Sequence, residues 1–563
     1  METPRLFLFA GLAVVLMMIW QAWQKDYGVP ATPVAQSPPT EAVTPPGTRE
    51  PDVPGAPAAS PGSRPAQKQP GAMTNEIPAE SRTVQSAGRI HVRTDVYDIV
   101  IDNLGGDIRT VDLLAYPKDT KVNDQPFRLM NDKAPDLFFT QTGLLSARTN
   151  SAPNHHSVYK ADGSNYRLAD GADELKVRLY WRGKDGITVT KVYTFHRNSY
   201  VIGLDYEVNN DSAADWRGSL YRQFQRTPPS SQPRFIRTYT GAVISNNENP
   251  YEKIKFDDME DANLNMTFKG GWAAMIQHYF VAAWLAQPDE INRYYTKALG
   301  NQKYIIGMAS AETTLSPGQQ GQLHARVFVG PKLQDRLEAV APHLELTVDY
   351  GWLTIIAKPV FWALENINKV VNNWGWAILI VTLIIKLLFY KLSEMSYKSM
   401  ANMKRVAPRL KALKERYGDD KQALNKAMMD IYKREKINPL GGCLPVLVQI
   451  PVFISLYWVL LESVEMRQAE FIFWLNDLSA PDPYFVLPLL MGATMIIQQK
   501  LNPAPMDPIQ QKVMGMLPIV FTVFFAFFPS GLVLYWVANN VLSITQQWII
   551  TRRIAPPPST PDK

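Results

Sequence analysis

WGWAILIVTLIIKLLFYKL, residues Trp374 to Leu392, is an apolar run long enough to cross a bilayer, and it carries a lysine, Lys386, in its second half. An ionisable side chain at the centre of a membrane helix costs about 2.5 to 3.5 kcal/mol on insertion scales. The run therefore predicts a helix in a membrane core and asks what surrounds Lys386. Four further apolar runs follow: Leu444 to Leu461, Tyr484 to Ile497, Val513 to Phe528 and Leu532 to Ile550. An earlier one, Leu6 to Trp23, follows Arg5 and has no clear small-x-small cleavage site behind it, which predicts an uncleaved anchor. The expectation is six transmembrane helices in total.

The charges between the runs set an orientation. Lys391 to Leu440 holds 13 Lys/Arg against 6 Asp/Glu, whereas Glu465 to Pro483 holds Arg467 against Glu465, Glu470, Asp477 and Asp482. Lys500 and Lys512 mark the next loop, Pro529-Ser530-Gly531 is an uncharged tight turn, and Arg552 and Arg553 close the series. This alternation is the positive-inside pattern, so both termini and the basic loop are expected in the cytoplasm. The runs around Leu490 and Phe521 are short for a bilayer of about 30 Å, so they should either tilt little or thin the bilayer locally.

Ahead of the membrane half the chain reads differently, although a mean hydropathy of −0.16 averages the contrast away. Residues 25–82 are rich in Pro, Ala and Ser and read as a disordered tether. Residues 83–341 carry short alternating segments, namely Arg89–Val92, Tyr97–Ile101, Leu175–Trp181, Ile187–Phe195, Tyr200–Val208 and Gln322–Val329, with Gly-rich turns between them. They predict a large antiparallel β-sandwich on the outer side of the membrane. Residues 342–373 turn to a helical period, with Thr354, Lys358, Glu365 and Lys369 on one stripe. That segment predicts an amphipathic helix, lying either on the membrane surface or on the sandwich.

Candidate functional residues are sparse. Asn539, Ser543 and Gln546 are spaced to share one face of the last helix, and Gln449 precedes Pro451 in an earlier one; converging on Lys386, they would line a polar hollow. The alternative is that Lys386 snorkels toward the headgroups near Lys391. The basic loop predicts a helical hairpin over 393–437, its apolar faces made by Met403, Val406, Leu410 and Leu413 and by Leu424, Met428, Ile431 and Tyr432. Lys404, Arg405, Arg409, Lys411, Asp419 and Asp420 are its candidate docking residues, though an anionic lipid surface explains the charge equally well. A net charge of only +6 carries no nucleic-acid signature, and the single cysteine, Cys443, excludes an intramolecular disulfide. Leu440-Gly441-Gly442-Cys443 reads as a turn into the membrane, and His155-His156 as a loop pair without a third metal ligand. Phosphate-binding loops, zinc-protease helices and nucleophile elbows are absent from the sequence, so no enzyme, cofactor or metal is expected.

The succession of Lys386 in its run, SYKSMANMKRVAPRLKALKERYGDDKQ (396–422), NPLGGCLPVLVQIPVF (438–453), DLSAPDPYFVLPLLMG (477–492) and FPSGLVLYWVANN (528–540) resembles the YidC family of membrane protein insertases in its Gram-negative form. The resemblance implies an N-terminal anchor (1–24), a periplasmic β-supersandwich, a core of five transmembrane helices over 374–553 with a groove open to cytoplasm and lipid, and a cytoplasmic tail (554–563). It further implies an inner-membrane insertase and chaperone whose partners are nascent membrane proteins, the lipid bilayer and the Sec translocon, with the ribosome and the signal-recognition-particle receptor as further candidates. In that family the groove cation is commonly arginine and the position of Lys391 is often proline; here both are lysine. Two other classes stay open on the residues alone. One is a secondary transporter with Lys386 as coupling site, which lacks a repeated pair of broken helices. The other is an anchored periplasmic carbohydrate-binding protein.

Overall fold

The computed structural model describes residues 86–119, 122–146, 152–230, 238–418, 420–435, 444–502 and 508–554. The expected anchor, the tether, the turn at Leu440–Cys443, the stop at Asn438-Pro439 and Asp419 lie outside them. Two compact units emerge, one within Ser399–Gly441 and one within Glu50–Lys398 and Gly442–Lys563.

Alternation builds the sandwich. Along the strand Val201–Asn210, Ile202, Leu204, Tyr206 and Val208 point inward and the residues between them outward, as a period of two requires. This strand pairs with Ile187–His196 on one side and Gln320–Pro331 on the other, at the centre of a nine-stranded sheet. A five-stranded sheet runs from Val122–Met130 through Asp107–Asp119, Tyr97–Asp102 and Arg89–Arg93 to Asn165–Arg167. In a third sheet of six strands, Trp216–Arg226 pairs with Tyr304–Ser310, Thr313–Leu315 and Phe138–Ser146. All six predicted segments are strands. The expectation of a purely antiparallel fold is corrected at one place: Arg89–Arg93 and Asn165–Arg167 run parallel. Trp216, Trp272 and Trp284 are fully enclosed in the core, each burying a large apolar area.

Ten helices are described: α1 (Phe256–Asp261), α2 (Gln334–Val340), α3 (Thr354–Val371), α4 (Trp374–Leu388), α5 (Tyr390–Tyr417), α6 (Lys421–Arg434), α7 (Leu444–Glu462), α8 (Val486–Leu501), α9 (Pro508–Phe525) and α10 (Ser530–Ile554). The amphipathic helix expected from residue 342 starts only at Thr354, because two 3-10 turns, Leu344–Thr347 and Gly351–Leu353, occupy the approach. It packs on α4 and α7 through Ala357, Phe361 and Leu364, while Trp352, Ile355, Trp362 and Val370 stay exposed. Asn373 then caps α4, its side chain accepting from the Trp376 N–H at 3.1 Å. A Cβ at Gly375 would overlap the Phe471 ring, so glycine lets the loop after α7 lie on the first turn of α4.

Helices α4 and α7–α10 coincide with the apolar runs. Among the described residues no single helix is long and apolar enough to cross a membrane; α4 and α5 reach that measure only as a bent pair. Helix α8 begins where Asp482, buried, accepts from the N–H groups of Tyr484 and Leu487 at 3.0 and 2.7 Å and from Trp474 Nε1 at 3.0 Å. The turn at Pro529-Ser530-Gly531 is pinned by bonds from Ser530 N to the Ala480 carbonyl and from Gly531 N to the Leu478 carbonyl.

In the hairpin unit, Val406 and Leu410 are buried against Met403, Met428, Ile431 and Tyr432, the two faces expected from the sequence. Gly418, at φ +52°, leaves the first helix, and Asp420 caps the second by accepting from the N–H groups of Gln422 and Ala423.

His278 lies in the turn between strands Trp272–Gln277 and Phe280–Leu285, where it meets the end of α7. Burial, and secondarily the Lys332 ammonium, push its imidazole from 6.5 down to about 4. The unfolded chain thus binds the extra proton between these values, so the contribution of neutral His278 is present above about pH 6.5 and is lost as pH falls toward 4. Glu465, raised by burial to about 7, acts in the opposite sense between pH 4.5 and 7, so the two must be separated by mutation. Between pH 7 and pH 5 the unaltered protein should lose about 2 kcal/mol more unfolding free energy than His278→Gln, measured by denaturant titration at both pH values.

Candidate functional site

Helices α4, α7 and α10 bring the polar residues of the apolar runs together. Lys386, in the last turn of α4, is buried and turns its ammonium toward α10, where Nζ donates to Ser543 Oγ at 2.7 Å. Ser543 in turn donates to the Asn539 carbonyl one helical turn back, at 2.6 Å, which fixes its lone pairs toward the lysine. Gln449 of α7 reaches Asn539 Oδ1 from Nε2 at 3.4 Å, a long bond that still ties α7 to the same patch. Lys391 takes the opposite course, exposed and 3.6 Å from Glu394. The two lysines are therefore divided between an inward and an outward direction.

Gln546 is the third residue of the predicted face of α10. It is buried, and neither its amide oxygen nor its amide nitrogen has a hydrogen-bond partner among the described residues. A side chain with one acceptor and two donors left open in an apolar setting is costly unless water or another polar group reaches it. Of the five expected hollow residues, Lys386, Ser543, Asn539 and Gln449 are linked by hydrogen bonds, and Gln546 lies one turn further along α10.

Several neighbours are legible only once the structure is seen. Ser393, Ser396 and Tyr397, in the first turns of α5, are buried. Their spacing of three and then one places all three on one helical face, a signal available in the sequence but masked by the charged residues around them. On the other side of α10, Asn540 Nδ2 donates to Thr494 Oγ1 at 3.1 Å and Gln547 Nε2 to Asn502 Oδ1 at 3.1 Å, two amide ties seven residues apart that hold α8. Helix α9 lies on α8, where a Cβ at Gly492 would overlap Thr522, and joins an aromatic cluster with Phe453 and Trp536 through Phe521 and Phe525. Its outer face, including Val513, Met516, Ile519, Val520, Val523 and Phe524, is exposed.

The hairpin's candidate residues divide by role. Lys404, Arg405 and Lys411 are exposed, Arg409 is paired with Glu435 at 3.0 Å, and Asp420 is engaged in its cap. Among the described residues no group of three or more His, Cys, Asp or Glu side chains could hold a metal ion. The His155 ring lies tilted against that of His156 and bonds the Tyr221 hydroxyl inside the sandwich.

Two family models together cover this chain: the one described as YidC periplasmic domain matches residues 89–363, and the one described as 60Kd inner membrane protein matches residues 366–557. A membrane protein insertase YidC from Methylococcus capsulatus is 50% identical, over 98% of this chain and 99% of its own length. Another, from Alkalilimnicola ehrlichii, is 52% identical over 98% of this chain and 96% of its own. A solved structure described as an active YidC insertase with its first transmembrane domain resolved shares 18% identity, covering 82% of this chain and 93% of that one, at a TM-score of 0.37.

The hydrogen bonds give a stability test. Ser543→Ala removes the acceptor of Lys386 and should cost about 1 to 3 kcal/mol, whereas Gln546→Met removes two unpaired polar atoms and should be neutral or stabilising. Thermal unfolding in detergent of the two variants, side by side, checks the order.

Proposed function

We propose how the chain works from one premise: it belongs to the YidC family of membrane protein insertases. The function is insertion of membrane proteins into the lipid bilayer of the inner membrane, and the chain carries the family's periplasmic domain. In our reading it spans the membrane six times, with the β-sandwich in the periplasm and the C-terminus in the cytoplasm. Lys386, Gln449, Asn539, Ser543 and Gln546 line a groove that receives the substrate.

No energy-consuming domain is needed for this chemistry. A 20-residue apolar helix gains about 0.3 to 0.6 kcal/mol for each Leu-like residue on entering the bilayer, so its final state is favourable. The barrier lies in the polar tail that must cross first, at about 2.5 to 3.5 kcal/mol for each Asp at the centre. A cation held partway across, with hydroxyls and amides beside it, lowers that barrier by taking the place of water. A membrane potential positive outside contributes about 2.3 kcal/mol per 100 mV for each negative charge moved fully outward.

The Lys386–Ser543 bond carries this reading, because it keeps an ammonium among apolar helices rather than at the surface. The unpaired amide of Gln546 supports it, since a group left open is available to water or to a substrate backbone. The exposed face of α9 is, in this reading, the surface along which the apolar segment slides into lipid. As lysine, the groove cation attracts a carboxylate without the paired donors of a guanidinium, so its selectivity rests on charge more than on shape. Lys404, Arg405 and Lys411 of the hairpin are assigned to docking of the ribosome, the signal-recognition-particle receptor or the Sec translocon.

Reconstitution into liposomes with a single-span substrate bearing an acidic tail tests the proposal. Insertion should exceed that of empty liposomes, and equality with them overturns autonomous insertion. Lys386→Ala should slow the acidic-tailed substrate by about tenfold, the kinetic equivalent of 1.4 kcal/mol, and a neutral-tailed one by much less, while Lys386→Arg stays near the natural rate.

A further inference from the structure

The sandwich is fastened to the helical region by polar contacts that converge on the end of α7 and the loop behind it. His278 Nε2 donates to the Leu461 carbonyl at 2.8 Å. Lys332, one residue past the strand Gln320–Pro331, places Nζ 3.1 Å from Glu462 Oε2 and 3.0 Å from the Thr347 carbonyl, and both charged side chains are buried. The Tyr350 hydroxyl lies 3.1 Å from Ser463 Oγ and is itself a partner of Gln334 Nε2 at 2.6 Å. Arg467 and Gln468 both donate to the Pro117 carbonyl in the next hairpin of the sandwich, at 2.6 and 3.1 Å, with the guanidinium over the rings of Phe127 and Phe280.

Of three consecutive residues, Leu461 and Glu462 are thus gripped by two different parts of the sandwich, and Ser463 by Tyr350 of the segment that leads from it into α3. The first two end the helix that carries Gln449, which lies 13 residues, or about 20 Å, from Glu462 along α7, with Pro451 two residues after Gln449. Simple apolar packing would tolerate a slide or a turn of this helix. A buried ion pair does not, because any displacement leaves a desolvated charge on each side. At the other end, the 3.4 Å bond between Gln449 and Asn539 is near the limit of hydrogen bonding, so small changes in the register of α7 break it.

We propose that Lys332 and Glu462 are positioning residues: the periplasmic sandwich acts through them as a clamp that sets the register of α7, and with it the place of Gln449 opposite Asn539 and Lys386. The proposal rests on the groove reading above for its functional consequence, but its structural core is independent of it. It assigns the sandwich a mechanical role in the insertase.

The test uses the full chain with Cys443→Ser. Gln449→Cys and Asn539→Cys are introduced together, and their cross-linking by a short bifunctional maleimide reports the α7–α10 register in membranes whether or not insertion is measured. Lys332→Met and Glu462→Gln should each lower the cross-link yield at least threefold, Lys332→Arg should hold it, and Lys332→Met with Glu462→Gln should restore most of it. In the protein with the natural Gln449 and Asn539, the same single replacements should lower the maximal insertion rate about fivefold with little change in the half-saturating substrate concentration, and the pair should recover. Cross-link yields unchanged by both single replacements overturn the clamp, as does a loss that the double replacement does not relieve. A lowered cross-link with unchanged insertion would instead leave the clamp standing and count against the groove.

Discussion

An ammonium enclosed by apolar helices has to find its acceptor on a neighbouring element, and the helical half of this protein is arranged around that demand. Lys386 turns its ammonium away from its own helix. Its partner comes from α10, 157 residues further along the chain, which sets the rotation of α10 about its own axis. Once Ser543 faces Lys386, Asn539 must face α7, and Asn540 and Gln547 fall on the side of α8. A single polar requirement thus orients the last helix toward three neighbours at once, in a medium where apolar packing alone discriminates weakly between rotations.

Much of this was legible in the sequence because it is periodic. The alternation in Val201–Asn210 marks a half-buried strand, and the spacing of Asn539, Ser543 and Gln546 marks one helical face, without any knowledge of what lies opposite. The apolar faces of the hairpin belong to the same class. What local pattern does not reveal is the partner. Lys332 and Glu462 look in sequence like ordinary loop charges, and only the fold brings residues 130 apart into a buried pair. The start of α3 was misplaced because Leu344–Thr347 and Gly351–Leu353 are helical in period but too tight to continue as an α-helix.

The acidic loop after α7 shows how one residue serves two readings. Its carboxylates count toward an outward orientation, yet Asp482 is buried and accepts from the Leu487 N–H in the first turn of α8, and Asp477 organises the turn by accepting from the Gln468 and Ser479 N–H groups. Negative charge near a helix start is favoured by the exposed N–H groups and the helix dipole, so folding alone would select acids here. Topological bias and local capping coincide in the same side chains, and a replacement at Asp482 would disturb both.

Helix α9 is fastened unevenly. Rings of Phe453, Phe521, Phe525 and Trp536 knot one end of it, near the turn at Pro529, while along its length it leans chiefly on α8. In the proposed reading, a wall tied at one end and backed on one side presents its free face to hydrocarbon, and an apolar segment that settles there displaces lipid rather than protein. Such an exchange would trade like for like, so a finished helix would be held there no more tightly than by lipid. On that reading the protein avoids the penalty of a high-affinity site, which would retain its own product, and release is diffusion in the plane of the bilayer.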